Sequence, residues 1–117
     1  MTSSNLVLRR TSVSLERAAK ENQAMIWERA SKMLSGPGSN KVEVNLGRLS
    51  RKAGEWSAFF VPGKVLGFGA LDKKLVVGAF SFSESARKKI TERGGSAMTV
   101  EQFLKKYPKG SGVKLVG

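Results

Sequence analysis

Residues 56–69 read Trp56-Ser57-Ala58-Phe59-Phe60-Val61-Pro62-Gly63-Lys64-Val65-Leu66-Gly67-Phe68-Gly69. Side chains alternate along a strand. A strand over Trp56–Val61 therefore turns Trp56, Ala58 and Phe60 to one side and Ser57, Phe59 and Val61 to the other. Both sides carry apolar groups, which is the pattern of a central strand covered on two faces rather than of a sheet with one wet face. Pro62-Gly63 is expected to end this strand, and Lys64–Leu66 to form a separate short one. Leu75–Phe82 is a second apolar, β-branched run fit for a central position.

The flanking segments read as helices. Over residues 5–22, Leu8, Leu15 and Ala18 or Ala19 recur at helical spacing, with Arg9, Arg10, Glu16 and Arg17 on other faces. Residues 24–34 form a second helix whose apolar side holds Met25, Ile26, Ala30, Met33 and Leu34. Ser35-Gly36-Pro37-Gly38-Ser39 stops it and is too short for a domain linker. Val42–Leu46 alternates as a short strand does, and Leu46–Ala53 then turns helical. Downstream, two pairs have the capping-box spacing: Ser81 with Glu84, and Thr99 with Gln102. They open helices over Glu84–Thr91, closed by Gly94-Gly95, and Val100–Tyr107, closed by Pro108. Val113–Val116 is a last short strand. This order predicts an α/β fold in one compact domain over residues 1–117. N-terminal helices (1–35) precede a small irregular sheet with short helices (42–117).

A chain of 117 residues can bury one modest core. Its 40% apolar and 26% charged residues are those of a folded domain rather than a basic tail. The charge balance is unusual: 21 Lys and Arg against 9 Asp and Glu, a net +12. Solubility needs far less charge, and such a field favours polyanionic partners. The excess recurs in every third of the chain, which suits a protein wedged among several nucleic-acid helices better than one that touches a single groove.

Cysteine and histidine are both absent. Disulfides, thiolate chemistry and the commonest general base and metal ligand are thereby excluded. No apolar run approaches the roughly 18 residues of a membrane span, and Met1–Arg10 lacks a signal-peptide core. A soluble, intracellular protein is expected. Most of the nine carboxylates lie beside Lys or Arg in helical stretches. Glu43 and Asp72 stand apart, and nothing pairs them. No catalytic set with matched roles is visible, so an enzyme is not expected.

The glycine-rich segment fits no nucleotide motif. A P-loop needs lysine and a hydroxyl after its last glycine, whereas Lys64 follows the first glycine. A dinucleotide fingerprint needs a third glycine, whereas Gly67-x-Gly69 is followed by Ala70-Leu71-Asp72. Gly67-Phe68-Gly69 likewise lacks the flanking basic and aromatic residues of an RNA-recognition motif. These glycines are therefore read as turn residues, and Phe68, Trp27 and Trp56 as core aromatics. The basic clusters are Arg48, Arg51 and Lys52; Arg87, Lys88, Lys89 and Arg93; and Lys105, Lys106, Lys109 and Lys114 around a Gly-Ser-Gly turn. Cations near a helix C-terminus also complement its dipole, but that role does not account for twelve excess charges.

Four stretches carry a family resemblance. They are Val44-Asn45-Leu46-Gly47-Arg48-Leu49; Val61–Gly69 of the opening quotation; Ala79-Phe80-Ser81-Phe82-Ser83-Glu84-Ser85-Ala86-Arg87-Lys88-Lys89-Ile90; and Pro108-Lys109-Gly110-Ser111-Gly112-Val113. In order and spacing the chain resembles the archaeal and eukaryotic large-subunit ribosomal protein family "L eighteen e", a relative of bacterial "L fifteen". The resemblance spans nearly the whole chain. It implies an α/β fold, a place in the large subunit of the cytoplasmic ribosome, and contact with large-subunit rRNA and neighbouring ribosomal proteins. It implies no catalytic role, no cofactor, no small-molecule substrate and no membrane. Asn45, Arg48, Pro62, Gly63, Lys64, Gly67, Gly69, Ser81, Ser83, Ala86 and Lys89 occupy family-motif positions. Gly38 and Ser39 stand where the family carries charge, which leaves Lys41 as the basic residue of that loop. The residues expected to bind RNA are Lys41, Asn45, Arg48, Arg51, Lys52, Lys64, Arg87, Lys88, Lys89 and Lys109. Two other readings compete: an extraribosomal protein-interaction domain that has kept the ribosomal fold, and a small phosphate-handling enzyme.

Overall fold

In the computed structural model, which describes residues 3–35 and 42–117, the chain begins with α1 (Ser3–Asn22) and α2 (Met25–Ser35). Then follow β1 (Glu43–Asn45), α3 (Leu46–Lys52), β2 (Ala58–Leu66), β3 (Val76–Phe82), α4 (Glu84–Glu92), β4 (Ser96–Met98), α5 (Val100–Lys106) and β5 (Val113–Leu115). All strand pairings are parallel, and β2 is the axis of the sheet. One edge of β2 pairs with β3, and β4 lies beyond it. The other edge is shared, with β5 along Ala58–Phe60 and β1 along Lys64–Leu66.

The two-faced apolar pattern of β2 has the predicted consequence. Phe59, Val61 and Val65 point into a core made with Leu46, Leu49, Leu71, Leu75, Val77, Ala86 and Ile90, covered by α3 and α4. Ala58 and Phe60 point into a second core with Leu15, Trp27, Val100 and Phe103, covered by α1, α2 and α5. Aromatic rings dominate this second core. Trp27 meets Phe60 edge-on at 5.2 Å and Phe103 at 6.1 Å, while Phe103 tilts against Tyr107 at 4.7 Å. The Trp27 indole N–H, which needs a partner when buried, donates to the Pro108 carbonyl at 2.8 Å. The two N-terminal helices meet through a buried hydroxyl pair, Ser12 and Ser31, at 2.8 Å. The Ser31 hydroxyl also reaches the Ser12 carbonyl.

Several local expectations are corrected. Pro62-Gly63 does not end the strand, because β2 runs through to Leu66. Proline has no N–H for the ladder, and the register with β3 slips between Val61 and Lys64 instead of stopping. The strand starts at Ala58, so Trp56 lies outside it and packs, half-buried, against the core of Phe59 and Val61. Met25 lies on the outer side of α2 and is largely exposed, while Trp27, Ala30 and Ser31 are buried. The cap of α4 is Ser83, whose hydroxyl accepts from the Ala86 N–H at 3.2 Å. Ser81 is still in β3, paired with Lys64. The Thr99–Gln102 box forms in both directions, at 3.0 and 3.2 Å. Strand β4 has no counterpart in the sequence reading.

Candidate nucleic-acid interface

In a parallel sheet the chain leaves every strand at the same edge. Here that edge gathers three connections: Asn45 into α3, Leu66 into Gly67-Phe68-Gly69, and Phe82 through Ser83 into α4. The crossover from β2 to β3 contains no helix. Residues 67–75 thread back between α3 and α4, with Leu71 and Leu75 buried beneath them.

Polar bonds from both helices hold this crossover. The Gly47 N–H donates to the Phe68 carbonyl at 3.1 Å. The Lys89 ammonium donates to the carbonyls of Gly67 at 2.6 Å and Gly69 at 3.2 Å. Lower down, the Arg93 side chain donates to the Leu71 carbonyl at 2.8 Å. Gly69 has a φ of +95°, and a Cβ there would stand 2.7 Å from the Gly47 Cα. Gly67 lies against Ser85 and Ala86 at the start of α4. The turn reading of these glycines is therefore correct at Gly69, where the left-handed φ excludes most side chains. At Gly67 the requirement is close approach.

Phe68 corrects the core expectation. Its carbonyl is bound inward to Gly47, its ring projects outward, and it is 79% exposed. Trp27 is fully buried as expected. Trp56 is half-buried, with the Lys114 ammonium 5.8 Å from its ring centre.

The expected RNA-binding residues separate into groups. Asn45 and Arg48 are exposed where β1 passes into α3. The Arg51 guanidinium lies alongside Gly47, 3.8 Å from where its Cβ would be. Arg87 and Lys88 are exposed in the first half of α4, and the Arg87 guanidinium sits 5.3 Å from the Phe82 ring centre. Lys89, half-buried, clamps the loop between them. The structure thus brings together Asn45, Arg48, Arg51, Arg87, Lys88 and Lys89. It leaves three residues elsewhere. Lys52 is half-buried at the far end of α3. Lys64 is exposed on the opposite face from its inward neighbour Val65. Lys109 is exposed in the loop before β5, at the other edge of the sheet. Lys41 lies outside the described residues.

Among the described residues there is one ion pair, Lys32 with Glu28 at 3.9 Å, on an exposed turn of α2. The cations of the sheet edge therefore have no carboxylate to neutralise them. Among the same residues, no helix is long and apolar enough to cross a membrane, and no cluster of carboxylates could hold a metal ion.

A family model that groups the ribosomal proteins 50S-L15 and 50S-L18e with their 60S counterpart matches residues 24–98, which contain the whole of this edge. The chain belongs to this family. Its curated relatives carry the name large ribosomal subunit protein eL18. That of Methanoregula boonei is 45% identical over 87% of this chain and 84% of its own length. That of Pyrobaculum aerophilum is 40% identical over 96% and 92%. That of Methanococcus maripaludis is 42% identical over 87% and 85%. The family resemblance read from the four motifs is therefore borne out, and so is the α/β fold it implies. The family match covers the crossover, both of its flanking helices and the Lys89 clamp.

Proposed function

We propose that this chain is a structural constituent of the large subunit of the cytoplasmic ribosome, where it binds large-subunit rRNA and stabilises its fold beside neighbouring ribosomal proteins. One observation carries the reading: a net charge of +12 with a single ion pair among the described residues leaves the cations facing outward without partners. RNA phosphates supply the missing charge, so affinity comes from counterion release and from shape more than from base identity. Asn45, Arg48, Arg51, Arg87 and Lys88 form the principal contact. Lys52, Lys64, Lys109 and Lys41 add contacts on other sides, as a protein enclosed by several RNA helices requires. Lys89 acts mainly by fixing the loop between the two cationic helices. The naming of the relatives as large-subunit proteins supports this assignment.

The test is binding of the full chain to large-subunit rRNA across a salt series, with an unrelated RNA as control. With roughly six phosphate contacts, log K falls against log salt with a slope of about −4 to −5. Preference for the rRNA supports the proposal. A steep slope without preference reduces the protein to a generic polycation, and no binding at low salt removes RNA from the account.

A further inference from the structure

Phe68 is the most exposed of the large hydrophobic residues in the described structure, at 79%. Its exposure is built in rather than incidental. The two carbonyls on either side of it, those of Gly67 and Gly69, are held by one ammonium, that of Lys89. Its own carbonyl is held by Gly47. With the backbone pinned at three consecutive residues, the ring cannot turn inward without breaking these bonds. Glycine on each side removes any neighbouring side chain that could shield it. An apolar ring fixed in water has an unfavourable hydration cost, so its orientation calls for an occupant.

The surroundings indicate which occupant. Arg48 and Arg51 stand on α3 beside the loop, and Arg87 and Lys88 on α4 across from it. α3 carries no carboxylate, and Glu84 is the one carboxylate in the first half of α4. A flat ring between cations matches a nucleotide, with a π-face for the ring and phosphates for the cations. Bases within an RNA duplex are stacked and paired, whereas an unpaired base can be splayed onto an aromatic side chain. We infer that Phe68 is a stacking platform for an unpaired RNA base, with the phosphates of that strand held by Arg48, Arg51 and Arg87. The inference rests on the rRNA-binding reading above and adds to it a residue that senses single-stranded RNA.

The test uses the full chain, large-subunit rRNA, and the variants Phe68→Ala, Phe68→Leu and Phe68→Trp. The side chain is exposed, so all three should melt with the wild type. Phe68→Ala should weaken rRNA binding roughly 5- to 150-fold, the loss of one base–aromatic stack, while the salt slope stays the same because no phosphate contact is removed. Phe68→Leu should fail to restore affinity. Phe68→Trp should restore it and show fluorescence quenching by rRNA beyond that of the wild-type protein. Wild-type binding with an unchanged Phe68→Ala overturns the stacking role, leaves the ribosomal reading standing, and points the ring at a protein neighbour. Full affinity in Phe68→Leu overturns it in favour of a plain apolar contact. If the wild type itself shows no preference for the rRNA, both readings fall together.

Discussion

The two faces of the sheet are finished in different ways. Against α1, α2 and α5, the sheet is sealed by packed rings: Trp27, Phe60, Phe103 and Tyr107. Against α3 and α4, aliphatic side chains fill the core, and a helix-free crossover is tied down by the cationic side chains of Lys89 and Arg93. The first face gains its stability from apolar area. The second uses part of the chain's positive charge internally, to hold one loop, and turns the rest outward. Damage to the first face should therefore appear as lost stability, and damage to the second mainly as lost binding.

Trp27→Ala should separate the faces most sharply. It removes a fully buried indole from its aromatic contacts with Phe60 and Phe103 and from a hydrogen bond. The expected loss is about 3–5 kcal/mol in urea unfolding, a large share of the stability of a domain this size. The residual folded protein should still bind rRNA. A change under about 1 kcal/mol, well below the range for a buried aromatic, would mean that the aromatic face is not the main support.

Lys89→Met keeps the aliphatic stem and removes the ammonium from both carbonyls. Hydrogen bonds to a charged group contribute about 1.5–3 kcal/mol, and the half-exposed position puts this one toward the lower end. Increased amide exchange should be confined to residues near 67–69. The salt slope of RNA binding should hold. A slope shallower by about 1 would instead make Lys89 a phosphate contact.

The smallest stability effect distinguishes two serines. Ser83→Ala should cost about 1 kcal/mol through the lost cap of α4, and Ser81→Ala, in the strand, should cost less. Equal losses would contradict the placement of the cap.

The legible part of the fold was its repetitive part. Two apolar runs with both faces covered identified β2 and β3, helical spacing identified α1 and α2, and the Thr99–Gln102 box marked α5. Strand β4 has only three residues, too few for alternation to register, and it forms because Val76–Gly78 offers a free edge. The continuation of β2 through Pro62 depends on Val42, whose carbonyl accepts from the Lys64 N–H at 2.8 Å, a partner distant in sequence. The shift of the α4 cap from Ser81 to Ser83 follows from strand pairing that keeps Phe82 opposite Val65.

At the candidate site, the residue types were readable but their grouping was not. Arg48 and Arg87 meet only because parallel strands deliver α3 and α4 to one edge, while Lys64 and Lys109, equally basic, are directed elsewhere. The clamp by Lys89 spans 20 and 22 residues, beyond any local pattern. Phe68 did carry a signal, since an aromatic residue between two glycines has no adjacent side chain to bury it.

The central claim is that the outward cations of this edge bind RNA. The most direct measurement compares wild type with the Arg48→Ala/Arg51→Ala double variant, in affinity for large-subunit rRNA across a salt series and in thermal unfolding. Loss of two phosphate contacts should make the slope shallower by about 1.4–1.8 and weaken binding at low salt, with unfolding unchanged because neither residue is paired or buried. Unchanged affinity and slope in a folded variant would contradict it.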